Sequence, residues 1–476
     1  MSNTSVNGRA NRIGWFIFFG CALGVLLLGL LASSINERRA ERKTATLQIV
    51  QPIADWEADN SKWGVSFPRE YGSWESTKQM NENTKYAGSG VRNYLKADPR
   101  LVIMWAGYAF AVDYNAPRGH YHAVEDVTAT KRVTRKNPAT CWTCKSPDVP
   151  RMMQKVGGPA NFYKESFDHF RTEIKNPIGC ADCHNPKTMA LQISRPALIE
   201  AFRRQGKDIR TASHQEMRSL VCAQCHVSYY FKDKVTNYLT FPWDKGLRAD
   251  DFEKYYFEAP KAHPDFVNVL SGTPIFKLRH PDYEVFSQGV HSFRNVSCAD
   301  CHMPYKAEGG IKYTDHQIRS PLYNIANSCQ VCHRWSESEV TARVNGIQDK
   351  NRQMLDEAED SIAPAHIEIA EAIKHGATDA ELAKPRDLLS RAQLYWDYVA
   401  ANNGMGFHAP QECARVLGKA IFLGSQARME TQRVLAKHGV LAPVTMPDIS
   451  TEEKAKAYTK PFIDAAKAKA AAPARI

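Results

Sequence analysis

Five short stretches of the chain repeat one chemical pattern: two cysteines three positions apart, followed at once by a basic residue. Four end in histidine, namely CADCH at 180–184, CAQCH at 222–226, CADCH at 298–302 and CQVCH at 329–333. The fifth, CWTCK at 141–145, ends in lysine. These pairs take ten of the twelve cysteines, whereas composition alone would give roughly 0.3 such pairs in a chain of this length. Two thiols so spaced reach the two vinyl groups of one porphyrin, and the next residue sets a ligand on its iron. Each C-x-x-C-H therefore reads as a covalent c-type haem attachment. The attachment residues are Cys141 and Cys144, Cys180 and Cys183, Cys222 and Cys225, Cys298 and Cys301, and Cys329 and Cys332. The adjacent iron ligands are Lys145, His184, His226, His302 and His333. Structural zinc would use such pairs two at a time, which leaves one over, and gives no reason for the neighbouring histidine. A disulfide framework belongs to small secreted domains, not to a chain of 476 residues.

A haem closed by a second histidine is suited to passing electrons, whereas substrate chemistry needs an iron with a vacant face. Lysine ligates only as a neutral amine, so the metal must compete with protonation near the ordinary lysine pKa of about 10.4. A single lysine among four histidines thus singles out Lys145 as marking the centre that does chemistry.

The segments that position these motifs are short. Stretches such as KNPAT, KNPIG and FPWDKG punctuate the chain between them, strand-like alternation is scarce, and porphyrin is expected to form much of the core. The expected fold is mainly α: a multihaem cytochrome c region followed by a bundle of long C-terminal helices. Helical patterns run over about 336–375, 379–402 and 410–438. The second opens on the capping box of Thr378 and Glu381, and Leu388, Ala392, Tyr395 and Val399 share one of its faces. The third has Pro410 in its first turn and Gly439 just past its end. Cys413 within it reads as core. Four divisions are expected: 1–45 as membrane anchor or signal segment, 46–335 as pentahaem region, 336–450 as long helices suited to dimerisation, and 451–476 as a loosely packed tail.

Haem attachment of this kind takes place outside the cytoplasm. Residues 13–35 carry no charge, follow Arg9 and Arg12, and are long enough to span a bilayer. The expectation is an uncleaved anchor at the inner membrane with the rest of the chain in the periplasm, cleavage after the small residues of LASS being the alternative. The formal charge is +11. About ten haem propionates and five ferric centres would leave roughly +6, a balance suited to a small anionic substrate. No helix-turn-helix or basic-arm pattern points to nucleic acid.

With CWTCK, RGH at 118–120, YTDH at 313–316 and HAP at 408–410, the chain resembles the pentahaem, ammonia-forming cytochrome c nitrite reductases from about Trp56 to PDIS at 447–450. The resemblance implies six-electron reduction of nitrite to ammonium at the lysine-ligated haem, a homodimer joined through the long helices, and electrons from a membrane multihaem quinol dehydrogenase. It implies a pocket of Arg132, Tyr229 and His280 above the open iron. It also implies distal ligands: His120 for the haem on Cys222 and Cys225, His316 for that on Cys180 and Cys183, His408 for that on Cys298 and Cys301, and His291 for that on Cys329 and Cys332.

The chain departs from this family in one place. Many members bind calcium beside the pocket through Glu-Tyr and Lys-x-Gln segments, where this chain has Ser228-Tyr229 and Lys277-Leu278-Arg279. Calcium requires oxygen ligands, so Arg279 is expected to substitute for the ion, as in the calcium-independent branch. A purely electron-carrying cytochrome and a hydroxylamine-oxidising enzyme are the competing readings, and Lys145 argues against both.

Overall fold

The computed structural model describes residues 6–44, 49–79, 81–258 and 263–471. Two compact units are distinguished, Met1–Pro52 and Ile53–Ile476. The first contains helix α1 (Val6–Thr44). Its stretch Arg12–Asn36, of mean hydropathy 2.4, is long and apolar enough to cross a membrane. At 1.5 Å per residue its 25 residues exceed a hydrocarbon core of about 30 Å.

The second unit is mainly helical, with only three two-stranded antiparallel sheets among the described residues: β1–β2 (Tyr230–Phe231 with Leu239–Thr240), β3–β4 (Phe266–Val267 with Pro274–Ile275) and β5–β6 (Tyr305–Glu308 with Ile311–Thr314). Around the cysteine motifs the helices are brief, the longest being the ten-residue α2 (His214–Ala223). Ser213 caps it reciprocally with Glu216, satisfying two of the amides a helix start leaves open, and Cys222 stands in its last turn.

Three long helices follow: α3 (Glu337–Lys374), α4 (Asp379–Ala400) and α5 (Pro410–Lys437). Thr378 and Glu381 form the expected capping box on α4. Ala392, Tyr395 and Val399 are buried on α4, and Cys413 is buried on α5. Gly439, at φ 82°, lies just past α5, where a side chain would be strained. The C-terminal segment departs from expectation. Residues Glu452–Ala471 form helix α6, with Ala455 and Thr459 buried and Tyr458 and Phe462 packed on the core. Asn93 donates to Glu452 at 3.0 Å, and Lys456 donates to the Val112 carbonyl at 3.0 Å. These partners come from the far end of the unit, so no local pattern announces them.

Candidate haem sites and active-site pocket

Each motif is built on one tight turn. Cys180–Cys183 and Cys298–His302 are single helical turns, and Ala139–Trp142 is a 3-10 turn leading into the lysine motif. On such a turn residues three apart share a face, which turns both thiols of a pair toward the same space. All ten thiols are free. The backbone N–H of His184, His226 and His333 donates to the carbonyl of the first cysteine of its motif, each at 2.9 Å. Lys145 N–H instead reaches Trp142, three residues back, at 2.9 Å, so the lysine motif is wound more tightly.

The residues between the cysteines also act. Asp182, Gln224 and Asp300 hold the same motif position. Fully buried Arg195 pairs with Asp182 at 2.5 Å and donates to the carbonyl of Ser146 at 2.8 Å and to that of Thr143, fastening the lysine motif to its neighbour. Gln224 accepts from the amides of Ser194 and Arg195 and donates to the Asp182 carbonyl at 2.7 Å. Asp300 pairs with Arg218 at 2.9 Å. Sequence reasoning missed Arg195; the one signal was the recurring polar residue before the second cysteine. Close approach elsewhere requires glycine: a Cβ on Gly289 would lie 1.9 Å from the His408 carbonyl, and one on Gly179 would lie 2.0 Å from Asn60 Oδ1.

Eight histidines stand in four facing pairs. Ring centroids are 6.3 Å apart for His120 and His226, 6.2 Å for His184 and His316, 6.3 Å for His302 and His408, and 6.3 Å for His291 and His333. Two metal–imidazole bonds of roughly 2 Å, plus about 1.1 Å from each nitrogen to its ring centre, add to about 6.2 Å. The pairs therefore have room for one iron each, beside free thiols, and the donor set fits c-type haem. Lys145 is half-buried and forms no salt bridge among the described residues.

Around Cys141 the charges of Arg279, Lys145 and Arg132 converge, while burial pushes its thiol up to about 11. Arg132 stacks on Phe110 at 4.4 Å and, among the described residues, pairs with no carboxylate. His280 is half-buried, and its buried Nδ1 has no partner among the described residues. Burial lowers its pKa to about 3, with the positive charges of Lys145 and Lys277 adding to the effect, so the ring is neutral at working pH. Burial likewise holds the Tyr229 phenol protonated, against the pull of Arg279.

Arg279 braces this pocket. Its guanidinium pairs with Asp265, donates to the Lys277 carbonyl, and lies 5.2 Å from the centre of the Tyr229 ring. Asp265 also accepts from Lys277 N–H at 2.8 Å. The Lys277 ammonium pairs with Asp397 of α4 at 2.6 Å, and Asp397 accepts from Leu278 N–H at 2.7 Å. Burial pushes Asp397 up to about 6 and Lys277 down. Glu284 is another buried acid, accepting from Trp243 Nε1 at 2.9 Å and Ser228 N–H at 2.8 Å. Burial raises it to about 8. Asp98, Asp356 and Glu359 come within reach of a common ion, but each is already ion-paired with Arg100 or Arg352.

A family profile described as Cytochrome c552 matches residues 59–475. The chain belongs to the cytochrome c552 family. It is 51% identical over 452 residues to cytochrome c-552 of Parabacteroides distasonis, covering 94% of this chain and 91% of that one. It is 49% identical to cytochrome c-552 of Porphyromonas gingivalis, covering 94% and 90%. The cytochrome c nitrite reductase catalytic subunit of Desulfovibrio desulfuricans, described for the relevance of its two calcium sites, superposes with a TM-score of 0.77 at 32% identity, covering 83% of this chain and 90% of that one. Family membership makes this chain a c-type cytochrome, an electron-transferring haem protein.

Proposed function

We propose that the protein is an ammonia-forming nitrite reductase whose catalytic haem is ligated by Lys145 and supplied by four bis-histidine haems. The observation that carries this reading is an asymmetry. Four attachment motifs have their histidine opposed by a second imidazole across an iron-wide gap, and the fifth offers an amine with no carboxylate partner among the described residues. Similarity to a cytochrome c nitrite reductase adds the substrate.

Nitrite takes six electrons and eight protons to give ammonium and two waters. The haems, when bound, supply electron storage and one iron able to take the substrate nitrogen. The protein's own groups bind and orient. Arg132, which forms no ion pair among the described residues, holds the nitrite oxygens and stabilises negative charge as each N–O bond breaks. Neutral His280 has an unengaged Nδ1 for an oxygen or for a proton in transit. The protonated Tyr229 hydroxyl is a further donor.

The reading includes operation without calcium. Arg279 takes up the Lys277 carbonyl and Asp265, oxygens that a cation would otherwise use, and Ser228 contributes no carboxylate. Anchorage by α1, a periplasmic site, a homodimer and a membrane quinol dehydrogenase as electron donor belong to the same proposal.

Purified protein should carry five covalent haems, show a high-spin ferric signal, and oxidise a reduced dye with nitrite while producing ammonium. Chelator should leave the rate unchanged. Lys145→His should retain haem and lower turnover at least tenfold. An unchanged rate in that variant, or five low-spin haems in the parent, would refute the reading.

A further inference from the structure

The Nδ1 atoms of the paired histidines do not meet the same kind of partner. His184 faces the Met189 carbonyl at 2.9 Å, His302 the Arg319 carbonyl at 2.9 Å, and His316 the Thr314 carbonyl at 2.8 Å. His226 faces Asp282 Oδ2 at 3.0 Å. Among the described residues it is the one member of the four pairs that meets a carboxylate.

Asp282 is itself fixed. Oδ1 accepts from Asn402 Nδ2 at 2.8 Å and from Asn403 N–H at 2.7 Å, and Oδ2 accepts from Asn403 Nδ2 at 2.7 Å. Both asparagines lie just beyond the end of α4, so the long-helix bundle aims this carboxylate. The motif it serves is central. Cys225 lies in the electrostatic surroundings of Cys144 of the lysine motif, and Cys222 in those of Cys298 of the next.

We propose that Asp282 is a positioning residue that sets the reduction potential of the haem attached at Cys222 and Cys225, lowering it relative to what a neutral partner on His226 would give. A carboxylate accepting from Nδ1–H makes the imidazole a stronger donor, and a stronger donor with a nearby negative charge favours ferric over ferrous iron. The centre beside the lysine motif is thereby made the more willing electron donor: it is oxidised as its neighbour is reduced. This rests on the haem reading above but not on nitrite being the substrate.

The test is a potentiometric titration of the haem-loaded full chain, followed by the low-spin ferric spectra. Asp282→Asn should move one low-spin component to higher potential and leave the others in place, and Asp282→Glu should restore it. Asn403→Ala removes a competing donor to Oδ2 and should move the same component the other way, which decides the matter if Asp282→Asn does not load haem. Unchanged potentials, or a uniform shift of every component, would overturn the proposal. Wild-type protein without bis-histidine haem would overturn the reading beneath it, whereas a loaded protein inert toward nitrite would leave the titration fully decisive.

Discussion

The long-helix bundle and the motif region reach order by different routes. In the bundle, helices of 38, 22 and 28 residues bury apolar faces against one another, and each begins on a local start signal. In the motif region no described helix exceeds ten residues, and fixed points come from polar clamps such as Arg195 on Asp182 and Gln224 on Ser194. Periodic burial suffices to fold a bundle, whereas the motif region relies on polar contacts between segments distant in sequence. The two regions meet where α4 sends Asp397 to Lys277, and where the residues after it reach Asp282.

The largest expected effect removes a haem from the region that needs it. Cys222→Ser with Cys225→Ser should abolish nitrite turnover and open residues 139–335 to protease, while far-ultraviolet dichroism keeps most of the bundle's helical signal. Loss of the whole signal would mean that the bundle also depends on haem. Next comes the joint between the regions. Asp397→Ala leaves the buried Lys277 unpaired and should cost about 3–5 kcal/mol in denaturant unfolding, with Lys277→Met alongside Asp397→Leu recovering most of it.

Glu284 supplies a pH dependence. Its folded value is raised from 4.5 to about 8, so over that window the folded chain binds more protons than the unfolded one. Its contribution is full below the lower value and lost as pH rises through the upper. Glu284→Gln keeps an acceptor for Trp243 and Ser228 and should flatten the fall in unfolding midpoint between those limits. The smallest effect is Thr378→Ala, which removes the cap of α4 and should cost about 1 kcal/mol without altering the haem spectrum.

Legibility followed the range of the interactions. The ends of α3, α4 and α5 were readable to within about two residues because caps, first-turn proline and terminal glycine act locally. Helix α6 was not, since its alanine- and lysine-rich sequence has little pattern and its docking depends on Asn93 and Val112. In the candidate site, the cysteines and the residues beside them were evident from spacing. The opposed histidines were named only through family resemblance, because nothing adjacent to them in sequence marks their facing rings. Arg195, Asp265, Asp282, Glu284 and Asp397 went unnoticed, because nothing adjacent to them in sequence distinguishes a buried clamp from a solvated charge.

By itself, then, the sequence determined the c-type cytochrome class and the helical bundle, since thiol spacing and apolar periodicity are written within a few residues. Tertiary structure alone decided which carboxylate answers which cation, and which imidazole receives a charged partner. Those choices depend on segments far apart in the chain being held within hydrogen-bond distance, and a bond of about 3 Å across a folded core has no counterpart in residue order.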